Sequence, residues 1–347
     1  MSEQPLMQRR GMRMGVTAFV VIVLLALPQL FSEPINSSLA RIGVYAVAIL
    51  GLNVVMGYTG QVSLGQIFFL GLGAYVTSYG VTHDWNIVLT FILTCLIPAL
   101  VGLVIALAAA RMGGLAIAMI TIALPIVGVP LAKRLSGLTG GSQGVSARFS
   151  SAPDWSRLYD DQWRLYLVII IGGLTFVLTR NLVRGKFGRA FAIVKNNEAV
   201  AGSMGASPYA YKVLAFTIAS LIGGVSGFLY MVVIQYTSPE TLHFGHSIAL
   251  LSAMVVGGAG SIIGSLLGGI YYVLIPQATN VINPNLTALL QGLILLIVLF
   301  VLPRGLASLP HRLGIGRRSR SRPPSATLAA PDAESASTEI STSPEEK

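Results

Sequence analysis

"VVGGAGSIIGSLLGGI", Val255–Ile270, lies inside the apolar run Ile248–Pro276 and carries six glycines. The run is long for one membrane crossing of about 20 residues and short for two of full length. Gly257, Gly258 and Gly260 supply backbone freedom where the chain would have to stop and turn. The expectation is therefore a break here, giving either two short crossings or one re-entrant segment. Which of the two holds decides how many times the chain crosses, and on which side it ends.

That the solvent is lipid follows from composition. Of 347 residues, 54% are hydrophobic and 10% charged, with a mean hydropathy of +0.74. Soluble domains carry about 25% charged residues, so this chain lacks the polar surface to face water throughout. The single cysteine, Cys95, sits in an apolar run and excludes a disulfide framework within the chain. The expected spans are Met14–Phe31, Ser38–Met56, Val62–Tyr79, Ile87–Ala110, Leu115–Ala132, Leu165–Thr179, Val213–Ile234, the run Ile248–Pro276 and Leu286–Leu302. The first follows Arg9, Arg10 and Arg13, but it is long for a signal peptide and "LPQLFSEP" offers no small-residue cleavage site, so it reads as a retained helix. The fold class expected is all-α and polytopic, with about 8–10 transmembrane helices including broken or re-entrant segments.

Basic residues orient such a chain. They gather at the N-terminus (1–13), between Arg180 and Lys212, and from Arg304 to Arg322. All three regions are expected on the cytoplasmic side. Six spans separate the first two, which agrees. Three spans after Lys212 would leave the third region outside, and the glycine break restores parity. The loop from Lys133 to Arg164, with Asp154, Asp160 and Asp161 near Trp155 and Trp163, falls outside. Residues 306–347 are rich in Ser, Pro and Glu and are expected to be a disordered cytoplasmic tail. Residues 14–305 form the membrane domain.

Glycines four apart line a helix face that a second helix can approach closely. Gly223 and Gly227 form one such pair, and Gly260, Gly264 and Gly268 a second series. Polar residues at membrane depth need partners. "GLNVVMGYTGQVSLGQ", Gly51–Gln66, carries Asn53, Gln61, Ser63 and Gln66 without a formal charge. Those four suit a pathway for a polar, net-neutral solute, and they suit hydrogen bonding between helices equally. "LTGGSQG", Leu138–Gly144, is either an amide nest for a carboxylate or a plain loop.

Enzyme and metal signatures are missing. His243 and His246 in "HFGH" have no third ligand nearby, and no G-x-x-x-x-G-K-[ST] loop occurs. Hence no catalytic residue, no metal and no cofactor bound by this chain are expected. The charge of +10 is explained by orientation and gives no reason to invoke nucleic acid.

Within the basic segment 185–212, "NNEAVAGSMG" reads as a short helix. Asn196 or Asn197 caps it, Glu198 complements its positive end, and Gly205 stops it. Ala199, Val200, Ala201 and Met204 give it a lean apolar side suited to docking in a groove of a soluble partner.

This segment resembles the coupling segment of ATP-binding-cassette importer permeases. More closely, "GLNVVMGYTGQVSLGQIFFLGLGAY" (Gly51–Tyr75), "LTGGSQGVS" (Leu138–Ser146), "GRAFAIVKNNEAVAGSMGASPYAYKVLAFTIASLIGGVSGFLY" (Gly188–Tyr230) and "GGAGSIIGSLLGG" (Gly257–Gly269) resemble, in order, the branched-chain amino-acid permease family of the LivM type. The resemblance runs from about residue 40 to 305; it departs at the tail and in "TIALPIVGVPLAKR" (Thr121–Arg134), which lacks the acid that relatives often carry. It implies a type II importer permease in a bacterial inner membrane, with both termini cytoplasmic. A paralogous permease would complete the pathway as a heterodimer. Two cytoplasmic ATPases, holding ATP and Mg, would grip Asn197, Glu198, Ala199, Ala201 and Gly205. A periplasmic binding protein would deliver Leu, Ile or Val. The alternatives are an importer for urea, short amides or sugars and, from a different class, a passive channel for a small neutral solute.

Overall fold

The computed structural model describes residues 28–111, 114–153, 156–282, 287–301 and 305–308. Most of the expected first span, together with Asp154, Trp155 and the tail, lies outside them. The elements, in order, are α1 (Glu33–Leu52), continued by a π-helical stretch Asn53–Tyr58, then α2 (Gln66–Thr82), α3 (Ile87–Ala109), α4 (Gly114–Arg134), the single turn α5 (Ser136–Thr139), β1 (Val145–Ser146), α6 (Asp160–Arg184), α7 (Lys186–Asn196), α8 (Glu198–Ser203), α9 (Pro208–Ile234), β2 (Tyr236–Thr237), α10 (Phe244–Gly257), α11 (Ile262–Ile282) and α12 (Thr287–Val301). Six of the described helices are long and apolar enough to cross a membrane. The chain is an all-α, multi-pass membrane protein.

Helix α9 is the central post, with α1, α2 and α3 packed around it. Its small residues are the reason. A Cβ on Gly227 would overlap the Leu70 carbonyl of α2, and one on Gly223 would stand 2.6 Å from the Phe69 Cβ. Gly224 faces α3 in a related way. Pro98 has no N–H to give the Thr94 carbonyl, and a Cβ on Gly224 would overlap that same oxygen. Backbones this close gain dispersion contacts along their length, which is what holds helices together where lipid removes the hydrophobic drive.

The break in Ile248–Pro276 falls where the glycines stand. Helix α10 ends at Gly257, Gly258 (φ +120°) and Gly260 (φ +77°) turn the chain, and α11 starts at Ile262. The two helices run antiparallel as a tight hairpin: Gly257 meets Gly264 and Gly268 backbone to backbone, and a Cβ on Gly268 would stand 2.6 Å from the Ala253 carbonyl. Four helices thus follow Lys212, in place of three unbroken spans. The chain end at Gly305 comes back to the hairpin turn, where a Cβ on it would stand 2.5 Å from Gly258 Cα. Gly260 itself is a turn residue. The nearest atom to its would-be Cβ is the Gly57 carbonyl at 3.4 Å, so its expected place in the packing series is corrected to the positive-φ turn.

Boundaries differ from expectation at both ends of the "GLN…GQ" stretch. Pro34 in the first turn starts α1 at Glu33, five residues before Ser38. Gly60 (φ +73°) then ends the π turn, and the chain runs non-helically to Gly65, so α2 begins at Gln66 where Val62 was expected. On the face holding Glu33 and Asp160, Asn36 Nδ2 donates to Asp161 Oδ2 at 2.8 Å, tying the starts of α1 and α6. A two-stranded antiparallel ribbon, Val145 opposite Thr237 and Ser146 opposite Tyr236, lies on the same side. Lys133 pairs with Glu240 at 3.5 Å beside it.

Candidate functional site

The opposite face carries α7 and α8. Helix α7 is amphipathic: Gly188, Ala190, Phe191 and Val194 are buried while Arg189 and Lys195 are exposed. Gly188 is required because a Cβ there would overlap the Val183 carbonyl at the end of α6. Asn197 then leaves the helical region (φ −160°, ψ 114°) and caps α8, its Oδ1 accepting from the amides of Ala199 at 2.9 Å and Val200 at 3.2 Å. Gly205 stops the helix in the left-handed region, with open space around it. The cap is Asn197, and Asn196 closes α7.

Helix α8 divides its side chains in two. Ala201 is fully buried against the protein, whereas Ala199, Val200 and Met204 are exposed. Glu198 does more than complement the helix end. Its Oε1 accepts from Lys212 Nζ at 2.6 Å, with the Lys212 side chain 8% exposed and that of Glu198 57%. Lys212 lies in the first turns of α9, so the pair bolts the short helix to the central post.

Two polar chains lead inward from here. Gln61 Nε2 donates to the Lys212 carbonyl at 3.3 Å and to Thr59 Oγ1 at 2.8 Å, linking α9 to the end of the π turn. Lys195 Nζ donates to the Gly57 carbonyl at 2.7 Å, linking α7 to the same turn. One turn earlier, Asn53 spans to the hairpin. Its Nδ2 donates to the Ser261 carbonyl at 2.8 Å and to Ser265 Oγ at 3.0 Å, and its Oδ1 accepts from Gly260 N at 2.6 Å. A displacement of α7 or α8 is therefore felt at the π turn, and through Asn53 at the hairpin.

The residues expected along a solute pathway are placed differently from a lining. Asn53, Gln61, Ser63 and Gln66 are all buried. The amides of Asn53 and Gln61 are engaged as above, and Gln66 Nε2 donates to the Ala219 carbonyl at 3.1 Å. Their geometry is that of staples between elements. The "LTGGSQG" loop is ordered as well. Gly140, Gly141 and Gly144 all have positive φ, but their amides donate to Ser136 O, Thr139 Oγ1 and Gly141 O. A carboxylate nest would need those donors free, so this stretch is a braced loop beneath the ribbon. His243 caps α10 by accepting from Gly245 N, and His246 Nδ1 bonds Tyr272 Oη at 3.1 Å. Among the described residues no group of three metal-ligating side chains occurs.

Sequence reasoning singled out Glu198 but missed its partner Lys212, and it missed the Lys195 contact. Helical spacing relates neither pair, since both close over long loops. The signal that was present is an isolated lysine at the start of an apolar run, which cannot be buried without a counter-charge.

Comparison with known proteins bears on residues 35–299, which match the family described as branched-chain amino acid transport system / permease component. The high-affinity branched-chain amino acid transport system permease protein LivM of Salmonella typhimurium is 27% identical over 291 residues, covering 76% of this chain and 67% of that protein. The Escherichia coli protein of the same name gives the same figures. A probable branched-chain amino acid transport permease protein LivM of Methanocaldococcus jannaschii is 21% identical over 329 residues, covering 78% of this chain and 92% of its own. No solved structure matches. With a helical membrane core matched over most of its length, the chain belongs to the branched-chain amino acid transport system permease family.

Proposed function

We propose that this chain is a permease subunit of an ATP-driven importer that passes branched-chain amino acids, Leu, Ile and Val, across a bacterial inner membrane. The observation that carries the reading is α8: a two-turn helix capped by Asn197, bolted by Glu198 to Lys212, with Val200 and Met204 turned outward. Exposed apolar side chains on a helix too short to be stable alone suit a socket in another protein. The names of the relatives support the substrate class.

In this reading residues 185–212 are the coupling segment and face the cytoplasm with both chain termini. Two ATPase subunits hold ATP and Mg and grip α8. A second, paralogous permease completes the pathway, and a periplasmic binding protein delivers the amino acid on the ribbon side. ATP binding draws the ATPases together and moves α8. The Glu198–Lys212 pair transmits that motion to α9, and Lys195 transmits it to the π turn. Asn53 passes it to the α10–α11 hairpin. The chain forms and breaks no covalent bond of the solute.

The test is Glu198→Lys, with deletion of 198–205 as a second variant, in the assembled transporter. Membrane insertion is expected to persist, while ATPase copurification and leucine uptake into vesicles are lost together. Uptake at the normal rate in both variants, with no ATPase copurifying with the unaltered chain, would refute the reading.

A further inference from the structure

Arg41 is the charged group that the coupling reading leaves unused. At the edge of the expected span Ser38–Met56 it looked interfacial. With α1 starting at Glu33, it stands eight residues in, about 12 Å along the axis. Among the described residues Arg41 makes no ion pair. A guanidinium at that depth must face a cavity or a counter-charge.

It faces a cavity. A space of about 930 Å³ lies between α1, α10, α11 and α12 and is bordered by Arg41. Small-molecule sites typically hold about 300–1,000 Å³. No aspartate or glutamate lines the space, so its field is positive and it suits neither a metal ion nor an organic cation. One wall is rigid: Tyr45 packs on Tyr272 with ring centroids 4.2 Å apart, and Tyr272 holds His246. Ser252 and Gln291 add neutral hydrogen-bonding groups, while Ile248 and Leu295 are apolar. The Arg41 fork matches a carboxylate. The neutral acceptors suit an ammonium, and the aliphatic wall suits a branched side chain.

We infer that this cavity is a docking site for the substrate within the membrane part, and that Arg41 holds the substrate carboxylate. The inference rests on the importer reading for the identity of the substrate. The positive charge, the depth of Arg41 and the mixed lining are independent of it.

The experiment uses the complete transporter in lipid nanodiscs without the binding protein, so that no other subunit selects the ligand. Saturation-transfer NMR titrates leucine and leucinamide, which differ in the carboxylate alone. The expected result is leucine binding about tenfold tighter than leucinamide, as losing one charge-assisted pair implies. Arg41→Ala should abolish that preference, and Arg41→Lys should keep part of it and show that the fold tolerates change here. An unchanged preference in Arg41→Ala overturns the inference. So does a leucine signal that is present in phosphatidylcholine discs and abolished by phosphatidylglycerol, because a lipid phosphate then occupies Arg41. Uptake by the unaltered transporter is measured in parallel with the binding protein restored. Failure to import leucine there sinks the importer reading, whichever way the titration falls.

Discussion

Removing Glu198 and removing its partner should have unequal consequences. Glu198→Ala leaves the Lys212 ammonium in a site only 8% exposed, without its 2.6 Å partner. An exposed ion pair contributes about 0–1 kcal/mol, whereas an abandoned buried charge costs about 3–5 kcal/mol. Only one member of this pair is buried, and Glu198 is 57% exposed, so solvent screens the interaction and the loss should be about 2 kcal/mol. That cost falls on keeping α8 docked. The amides of Ala199 and Val200 donate to Asn197 Oδ1, and that of Ala201 to the Asn197 carbonyl, so each is released when α8 undocks. At 1.4 kcal/mol per factor of ten, exchange in the peptide covering 197–206 should speed up about 30-fold. The double variant Glu198→Ala with Lys212→Met removes the stranded charge and should recover most of the protection. Hydrogen-exchange mass spectrometry on nanodisc-embedded protein reads both. A rise of less than about twofold in the single variant, or a double variant that opens more readily than the single, would refute the assignment of Lys212 as a buried charge held by Glu198.

Two further outcomes follow from the packing. Gly257→Val drives a side chain into the Gly264 carbonyl and should cost about 3 kcal/mol or more. Gly292→Ala, with nothing within 4 Å, should be neutral or slightly stabilising, and equal melting temperatures for the two variants would count against the hairpin seam. Asn53→Ala breaks three hydrogen bonds between the π turn and the hairpin and should cost about 2–4 kcal/mol in thermal unfolding. A cost below about 1 kcal/mol would show that the latch is not closed in the membrane.

The spans were legible because membrane helices are written in long apolar runs, and Gly257–Gly260 marked the break because only glycine is at ease at the angles the turn needs. The α8 cap was legible for the same local reason: Asn197, Glu198 and Gly205 act on their immediate neighbours. What local pattern hid was pairing across the fold. Asn53 and Gln66 are polar residues in an apolar run whether they line a path or staple two helices, and only their partners, Ser261 and Ala219, decide. Arg41 was misplaced because a boundary moved by five residues when Pro34 began the helix earlier, turning an edge charge into a buried one. The π winding of Asn53–Tyr58 has no composition of its own; it comes from the closing contacts of Asn53, Thr59 and Lys195 around it.

The two arms of the hairpin share a turn but differ in length, 14 residues in α10 against 21 in α11. At 1.5 Å per residue the shorter arm stops about 10 Å below its neighbour on the ribbon side. The insulating layer is thinnest there, and any transmembrane voltage falls over a shorter distance. A zwitterion with no net charge feels little of that field, whereas sodium or a proton would be driven through. The fixed positive charge of Arg41 borders this recess and repels cations, so the place where the barrier is shortest is also guarded against an ionic leak.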